Sequence, residues 1–244
     1  PSFHCRPREA ARERIGQMVD AIRKVGVIGA GQMGVGIAQV NAQAGVLVAL
    51  NDVSPERVDA AIKGLDANLE RRVQRGELED AARRDTLSRI VKAPTLADLA
   101  DCDLVIEAAT EDEDIKHKIF AALSPHLTPT AMLASNTSSI SITRLGASTD
   151  RPEKFIGIHF MNPVPRMKLV ELIRGIATED DTFELAKGYI TGLGKILTVS
   201  EDFPAFIVNR ILLPMINEAV YTLYEGVGSV EAIDTAMKLG ANHP

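Results

Sequence analysis

The sequence predicts an α/β fold, in which a doubly wound, mostly parallel sheet is followed by an all-helical region. Three observations lead to this prediction: short apolar strand patterns alternate with helical patterns up to about Ser200, a glycine-rich turn follows the first strand, and helical patterns alone occupy the rest. Alternating strands and helices are typical of βαβ units, which build a parallel sheet covered by helices. We therefore expect a sheet domain over residues 25–203, a helical extension over 1–24 and the start of a helical domain over 204–244.

Composition supports an ordinary globular protein. The chain has 244 residues, 45% of them hydrophobic and 25% charged, which is enough to bury a substantial core. Its net charge of −6 argues against a general nucleic-acid or anionic-membrane surface. Two cysteines without a CxxC motif predict a reduced, cytoplasmic compartment and no metal site, and no apolar run is long enough to span a membrane.

The first half of the chain alternates strand and helix in order. The segment KVGVIGAG predicts a buried strand, and QMGVGIAQVNAQAG follows with apolar residues at helical spacing until Gly45. VLVALND predicts a second strand. Ser54 and Pro55 are then the N-cap and first position of a long helix whose second half is heavily charged.

Further strand patterns complete the sheet. They are CDLVIEAA, AMLASN, KFIGIHF, MKLVELI and KILTVS, with DIKHKIFAAL as a helix among them. After Phe203 the pattern becomes helical, and apolar residues between Phe206 and Leu223 occupy nearly the whole circumference of one helix. Such a helix needs cover on most sides. We therefore expect either more chain beyond Pro244 or a second subunit to cover it.

The glycine-rich turn predicts a dinucleotide site. Gly29, Gly31 and Gly34 form G-x-G-x-x-G between the first strand and its helix, where a pyrophosphate binds at the helix N-terminus. Asp52 ends the second strand, where a carboxylate accepts hydrogen bonds from the adenosine ribose. Its charge favours NAD over NADP, because a 2′-phosphate would be repelled. The alternatives are a purely structural glycine turn and an Asp52 that only begins the turn before Ser54.

A histidine and a glutamate near the end of the sheet predict acid–base chemistry. His159 ends a strand on the carboxyl side of the sheet, where open α/β sheets bind ligands, and imidazole is a usual proton acceptor for an alcohol being oxidised. The proline turn PVPRM predicts that the next strand returns and brings Glu171 near His159. A carboxylate on one ring nitrogen fixes the tautomer. Taken alone, a histidine at the end of a strand is structural about as often as it is functional.

Ser138, just past a strand end, is a candidate to bond a substrate oxygen. The competing interpretation of this Ser/Thr-rich turn is helix capping. The chain has no G-x-S-x-G nucleophile motif, so a serine hydrolase is not indicated.

Several segments together resemble the L-3-hydroxyacyl-CoA dehydrogenases, and most strongly the bacterial enzymes acting on 3-hydroxybutyryl-CoA. They are VGVIGAGQMGVGIAQV, CDLVIEAATED, LASNTSSISIT, IGIHFMNPVPRMKLVELIRG, VNRILLPMINEA and AIDTAMKLGANHP, in family order. The likeness extends from about Val25 to Pro244. Residues 1–24 precede the usual start of the family. The family continues past Pro244 with further helices that form most of its dimer interface, so the chain looks truncated.

The resemblance implies a role for individual residues. His159 would be the general base and Glu171 its partner, while Ser138 and Asn209 would bind the 3-oxygen of the substrate. The implied contacts to NAD are Gly29, Gly31, Gln32, Met33, Gly34, Asp52, Glu111, Lys116, Asn136 and Asn162. Asn68 and Arg75 stand where the family has a serine and a lysine that contact coenzyme A, so this pair of assignments departs from the family pattern.

The reaction implied is reversible oxidation of (S)-3-hydroxyacyl-CoA by NAD⁺, giving 3-ketoacyl-CoA, NADH and a proton, in fatty acid metabolism. The expected partners are acetoacetyl-CoA or 3-hydroxybutyryl-CoA and a second copy of the chain, with no nucleic acid and no membrane. Two alternatives stay open: a related dehydrogenase acting on a sugar acid or using NADP, and a dinucleotide-binding protein without catalysis. The set Ser138, His159, Glu171 and Asn209 speaks against the second.

Overall fold

A computed structural model describes residues 22–244. The predicted N-terminal helical extension therefore lies almost entirely outside the described residues. Its last residue, Lys24, already begins the first strand.

Within residues 22–244, eight strands form one sheet in the order β3-β2-β1-β4-β5-β6-β7-β8. The strands are β1 Lys24–Ile28, β2 Leu47–Asn51, β3 Ile90–Lys92, β4 Leu104–Glu107, β5 Met132–Ser135, β6 Phe155–Phe160, β7 Leu169–Arg174 and β8 Ile196–Glu201. All neighbours pair in parallel except β6 and β7, which are antiparallel. The predicted doubly wound, mostly parallel sheet is confirmed. The edge strand β3 was not predicted, because three residues are too few to show a period.

Helices connect the strands and form the region after the sheet. They are α1 Gln32–Gln43, α2 Pro55–Gln74, α3 Asp80–Ser88, α4 Glu113–Leu123, α5 Ile142–Ala147, α6 Asp180–Gly192, α7 Val208–Tyr224 and α8 Val230–Thr235. The charged stretch after Ser54 divides into α2 and α3, because Gly76 takes a left-handed conformation (φ +70°) and ends α2. Ser229 caps α8 by accepting the Ala232 N–H.

The core consists of two apolar layers, one on each face of the sheet. Alternate residues of β1 supply both: Val25 and Val27 belong to one layer and Ile28 to the other. Burying a valine or isoleucine side chain stabilises the fold by about 1.5–3 kcal/mol. The sheet is therefore a rigid base from which the loops at its carboxyl edge project.

The helical region after the sheet has no such core of its own. No residue of α7 or α8 is buried, and Ile211, Val220 and Tyr224 are 65%, 60% and 85% exposed. The apolar circumference predicted for α7 is thus present and faces outward. Among the described residues, none of the helices has the length and apolar character required to cross a membrane.

Candidate active site

The turn between β1 and α1 has the shape that its glycines require. Gly29 has φ +107°, and a side chain there would place Cβ 2.6 Å from the Ala108 carbonyl oxygen. A Cβ on Gly34 would lie 1.7 Å from the Gly29 carbonyl oxygen. Both positions therefore demand glycine. Gly31 is different, since a Cβ there would meet nothing within 4 Å.

Gly31 faces open space at the N-terminus of α1, and no side chain caps that helix end. The N–H groups of the first turn, together with the helix dipole, therefore face an open cradle suited to a pyrophosphate. Gln32 is exposed beside this cradle, whereas Met33 packs partly against the core.

Asp52 holds this turn from the neighbouring strand. One of its carboxylate oxygens accepts the Ala30 N–H at 2.8 Å, and the other lies 3.4 Å from the Arg57 guanidinium. The Asp52 side chain is almost buried, while that of Arg57 is largely exposed. The carboxylate thus fixes the conformation of the glycine turn and keeps one oxygen toward the edge where a ribose would lie.

The antiparallel pairing of β6 and β7 brings the histidine and glutamate together. His159 is directly opposite Glu171 in the register, on the same face of the sheet. The imidazole Nδ1 is 2.8 Å from Glu171 Oε2, and the two side chains are 8% and 0% exposed. Because an ionised carboxylate only accepts, this contact favours the tautomer with its proton on Nδ1, which leaves Nε2 as an acceptor.

The second oxygen of Glu171 binds the segment that leads into α7. Oε1 accepts the backbone N–H groups of Ile207 and Val208 at 3.1 and 2.9 Å. Phe206 is buried, with its ring centroid 5.7 Å from that of His159. Asn209 follows these residues in the first turn of α7 and is partly exposed. Glu171 therefore connects His159 to the helix that carries Asn209.

Ser138 lies in a cluster around Glu111. One oxygen of the Glu111 carboxylate accepts the Thr137 hydroxyl at 2.6 Å, the Ser138 N–H at 2.8 Å and the Ser138 hydroxyl at 3.1 Å. Burial alone would raise the pKa of Glu111, but hydrogen bonds from Thr137 and Ser138 and the charge of Lys116 outweigh it and hold that pKa below the usual value. Ser138 is thus fixed by a carboxylate that stays ionised.

Lys116 lies behind this cluster. Its ammonium is 1% exposed, 2.7 and 2.8 Å from the two oxygens of Glu107 and 3.6 Å from Glu111. The sequence led us to expect a direct contact of Lys116 with the cofactor. The structure places the ammonium between two carboxylates, away from the surface, so that contact stays a prediction.

Asn136 joins the two sides of the site. Its Oδ1 accepts the N–H of Phe160, the residue after His159, at 2.9 Å. The loop that carries Ser138 is therefore tied to the end of the strand that carries His159. In this arrangement the Asn136 side chain acts within the protein scaffold, and its predicted cofactor contact stays a prediction.

A cleft of about 690 Å³ opens beside the glycine turn, between α1, α2 and the β6–β7 connection. Asn68 and Arg75 line it, as does Asn162, and the structure adds two arginines that the sequence did not single out, Arg72 and Arg166. Arg72 and Arg75 each lie near Glu77, at 3.6 and 3.2 Å. The four charged residues that line the cleft, three arginines and Glu77, give it a net positive charge.

Sequence reasoning missed Glu107, Thr137 and Phe206. A signal for Glu107 existed, because it stands in the apolar strand CDLVIEAA, as Glu171 stands in MKLVELI, and a buried carboxylate requires partners. Thr137 and Phe206 gave no local signal. Among the described residues no group of histidine, cysteine or carboxylate side chains has the arrangement of a metal site.

Comparison with known proteins places these features in a family. Residues 24–203 match the model of the 3-hydroxyacyl-CoA dehydrogenase NAD-binding domain, and residues 206–244 match that of the 3-hydroxyacyl-CoA dehydrogenase C-terminal domain. A 3-hydroxybutyryl-CoA dehydrogenase of Bradyrhizobium diazoefficiens is 66% identical over 227 residues, which are 93% of this chain and 78% of the relative.

Solved structures agree with this assignment. The crystal structure of (S)-3-hydroxybutyryl-CoA dehydrogenase from Ralstonia eutropha superposes with a TM-score of 0.89 at 47% identity, covering 91% of this chain and 79% of that one. Among relatives found by sequence, a 3-hydroxyadipyl-CoA dehydrogenase of Escherichia coli is 42% identical. The matched region covers 93% of this chain and 48% of that relative.

Proposed function

The chain belongs to the 3-hydroxyacyl-CoA dehydrogenase family, and from this premise we propose that it interconverts (S)-3-hydroxybutyryl-CoA and acetoacetyl-CoA. The protein is an NAD-dependent oxidoreductase. The proposal adds the substrate, the reversibility and the residues that act. The observation that carries it is the buried His159–Glu171 pair at 2.8 Å, at the same sheet edge as the glycine turn.

His159 is the general base of the oxidation. Its Nε2 takes the proton from the 3-hydroxyl group while hydride leaves C3, and it returns that proton in the reverse direction. Glu171 holds Nδ1–H, which fixes the tautomer and stabilises the imidazolium that forms. Positioned base catalysis of this kind contributes on the order of 10²–10⁴ in rate.

Ser138 and Asn209 bind the 3-oxygen. Glu111 holds the backbone N–H of Ser138 in place, and when substrate binds the Ser138 hydroxyl turns from Glu111 toward the oxygen that becomes a carbonyl. The Asn209 amide approaches from the first turn of α7. Donors placed where charge develops in the transition state accelerate the reaction more than they strengthen substrate binding.

The residues present fit an NAD molecule. The open face at Gly31 and the uncapped N-terminus of α1 suit the pyrophosphate, and the Asp52 oxygen that lies beside Arg57 suits the ribose hydroxyl groups. NAD⁺, when bound, supplies the hydride acceptor. Gln32, Met33 and Asn162 complete the proposed contacts, with Glu111, Lys116 and Asn136 supporting the nicotinamide side.

We place coenzyme A in the cleft beside the glycine turn. Arg72, Arg75 and Arg166 give its phosphates three guanidinium groups, and Asn68 adds an amide. This set differs in residue type from the serine and lysine of the family pattern but supplies the same kind of chemistry, hydrogen-bond donors and positive charge.

The proposal extends to domains, assembly and compartment. We divide the chain into a NAD-binding domain over 25–203 and a helical substrate and dimerisation region from 204, and we assign the exposed apolar face of α7 to a homodimer in the cytoplasm. Sedimentation over a range of concentrations tests the dimer, and a monomer at every concentration would contradict it.

The direct test follows NADH oxidation by the purified protein with acetoacetyl-CoA. We expect turnover with NADH and much slower turnover with NADPH, because the carboxylate of Asp52 repels a 2′-phosphate. Free acetoacetate, which lacks the coenzyme A part, is the matched control and should be a poor substrate. Tight NADH binding without any turnover would contradict the enzymatic proposal.

A further inference from the structure

Glu107 is a fully buried carboxylate at the end of β4 with three neighbours that donate to it. It accepts the Lys116 ammonium at 2.7 and 2.8 Å, the Ser135 hydroxyl at 2.7 Å and the Ala109 N–H at 2.7 Å. Its side chain is 0% exposed and that of Lys116 is 1% exposed. Neither group is in a position to contact substrate directly.

A buried ion pair of this kind needs a reason other than stability. Desolvating both charges costs several kcal/mol per ion, and well-packed apolar residues of similar size often stabilise a fold equally well. In some proteins a fully satisfied buried polar network is retained because it fixes the geometry of the groups around it. The partners of Lys116 and Ser135 show which groups these are.

The first branch of the network runs through Lys116. Its ammonium also lies 3.6 Å from the second oxygen of Glu111, whose first oxygen binds the Thr137 hydroxyl and both polar groups of Ser138. Glu107 cancels the charge of Lys116. Without that cancellation the ammonium would attract Glu111 inward and away from Ser138.

The second branch runs through Ser135. Since the Ser135 hydroxyl donates to Glu107, its oxygen is turned to accept the Thr137 N–H at 3.2 Å. The Thr137 hydroxyl in turn donates to Glu111 and accepts the N–H groups of Ser139 and Ile140 at 3.3 and 2.9 Å. Both branches therefore meet in the residues that flank Ser138.

We propose that Glu107 is a positioning residue for the dehydrogenase reaction, which sets the Ser138 hydroxyl through Lys116–Glu111 and through Ser135–Thr137. This inference rests on the proposed function, because it acts through the role given to Ser138. It explains why two carboxylates and one ammonium are gathered beneath a loop that itself carries no charged side chain from Ser135 to Ile142.

The test is a double-mutant cycle between Glu107→Gln and Ser138→Ala, with kcat, KM and the NADH Kd measured for each variant. We expect Glu107→Gln to lower kcat by about tenfold to a hundredfold, the cost of a small misplacement near the reacting group. The NADH Kd should change much less than kcat. In the Ser138→Ala background the same substitution should cause no further loss of kcat.

Two variants serve as matched comparisons. Ser135→Ala interrupts only the second branch and should lower kcat less than Glu107→Gln does. In the Ser138→Ala background it should have no effect on kcat. If Glu107→Gln fails to fold, Ser135→Ala takes its place in the double-mutant cycle. Tyr189→Phe removes a buried hydrogen bond between α6 and Asn41 of α1, outside the Glu107 network. It should lower the free energy of unfolding and leave kcat unchanged.

A purely structural role predicts a different result. Glu107→Gln would then lower kcat equally with and without Ser138, and that outcome overturns the inference, as does an unchanged kcat. If Ser138→Ala itself keeps the wild-type kcat, the inference fails together with the role given to Ser138, while the proposed reaction and the roles of His159 and Glu171 stand.

Amide hydrogen exchange at Ser138 gives a readout that does not depend on activity. We expect Glu107→Gln to speed exchange of the Ser138 N–H, which Glu111 holds, and Tyr189→Phe to leave it unchanged. Unchanged exchange in Glu107→Gln overturns the inference, even for a protein that shows no turnover.

Discussion

In the proposed active site, the sheet and the helical region that follows it contribute residues from very different packing environments. All six residues of β6 are buried, whereas α7 has no buried residue along its length. The sheet supplies His159 and Glu171 from paired strands, and α7 supplies Asn209 from a helix with little packing against the described chain. Catalytic geometry therefore depends on how firmly the second region is attached to the first.

Two carboxylates make that attachment. Glu171 binds the N–H groups of Ile207 and Val208, and Asp202, just after β8, binds the start of α5 through Ser141, Ile142 and Thr143. In the chain between Asp202 and Ile207, Ala205 and Phe206 adopt left-handed conformations with φ of 66° and 52°. Such conformations cost a residue with a side chain on the order of 1–2 kcal/mol. The contacts on either side keep the chain in this shape.

The largest expected effect comes from the sheet side. His159→Gln should lower kcat by on the order of 10²–10⁴, because the amide cannot take a proton, while the NADH Kd stays unchanged. His126→Gln, at an exposed histidine elsewhere on the chain, is the control and should behave as wild type. Turnover retained in His159→Gln would contradict the assignment of His159 as the general base.

The helical side should matter less but measurably. Asn209→Ala should lower kcat by about tenfold to a hundredfold, because one donor to the developing carbonyl is lost, and should change KM little. Asn217→Ala, at an exposed position further along α7, is the matched control. Equal behaviour of the two variants would show that α7 takes no part in the reaction.

The attachment itself can be weakened at Asp202. Burial alone would raise the pKa of Asp202, but its hydrogen bonds to Thr143, Ser141 and Ile142 outweigh it and hold the pKa below 3.8. A carboxylate with a lowered pKa in the folded state stabilises the fold above its unfolded pKa, and the effect is lost as the pH falls through the folded value.

Asp202→Ala should therefore lower the free energy of unfolding by about 1 kcal/mol at neutral pH, a typical value for N–H groups at a helix start. The loss should shrink as the pH falls below about 3.8, the ordinary value for aspartate. Chemical denaturation at several pH values measures this, and a loss independent of pH would contradict the assignment to the carboxylate.

The smallest expected effect concerns coenzyme A binding, which we place in the cleft beside the glycine turn, within the sheet region. Arg75→Ala should raise KM for acetoacetyl-CoA by about fivefold, equivalent to roughly 1 kcal/mol for an exposed charge contact, with kcat unchanged. Arg84→Ala, an exposed arginine in α3 outside the cleft, is the control. A change in kcat rather than KM would contradict the division of roles between the two regions.

Much of the sheet region was predictable from local pattern. Strand and helix periods, the glycine turn and the proline turn before β7 determine the order of elements, and the predicted return of β7 beside β6 is confirmed with His159 opposite Glu171. Each of these features depends on neighbours along the chain or on one hairpin, and such features appear directly in the sequence.

Long-range partners were not predictable in the same way. A carboxylate in an apolar strand shows that a partner must exist, but Lys116 for Glu107, and Ile207 and Val208 for the second oxygen of Glu171, are set by packing between distant elements. The same holds for Asp52, whose hydrogen bond to Ala30 emerges only from the folded turn. The supporting contacts of the site therefore required the structure.

The central claim is that Glu171 holds His159 as the Nδ1–H tautomer, with Nε2 as the proton acceptor. Nitrogen-15 NMR of the imidazole groups measures this directly, and His159→Gln assigns the signal among the five histidines. At a pH where the ring is neutral, we predict a protonated Nδ1 and a bare Nε2 in the wild type, with this preference weakened in Glu171→Gln. A neutral His159 that carries its proton on Nε2 would contradict the account.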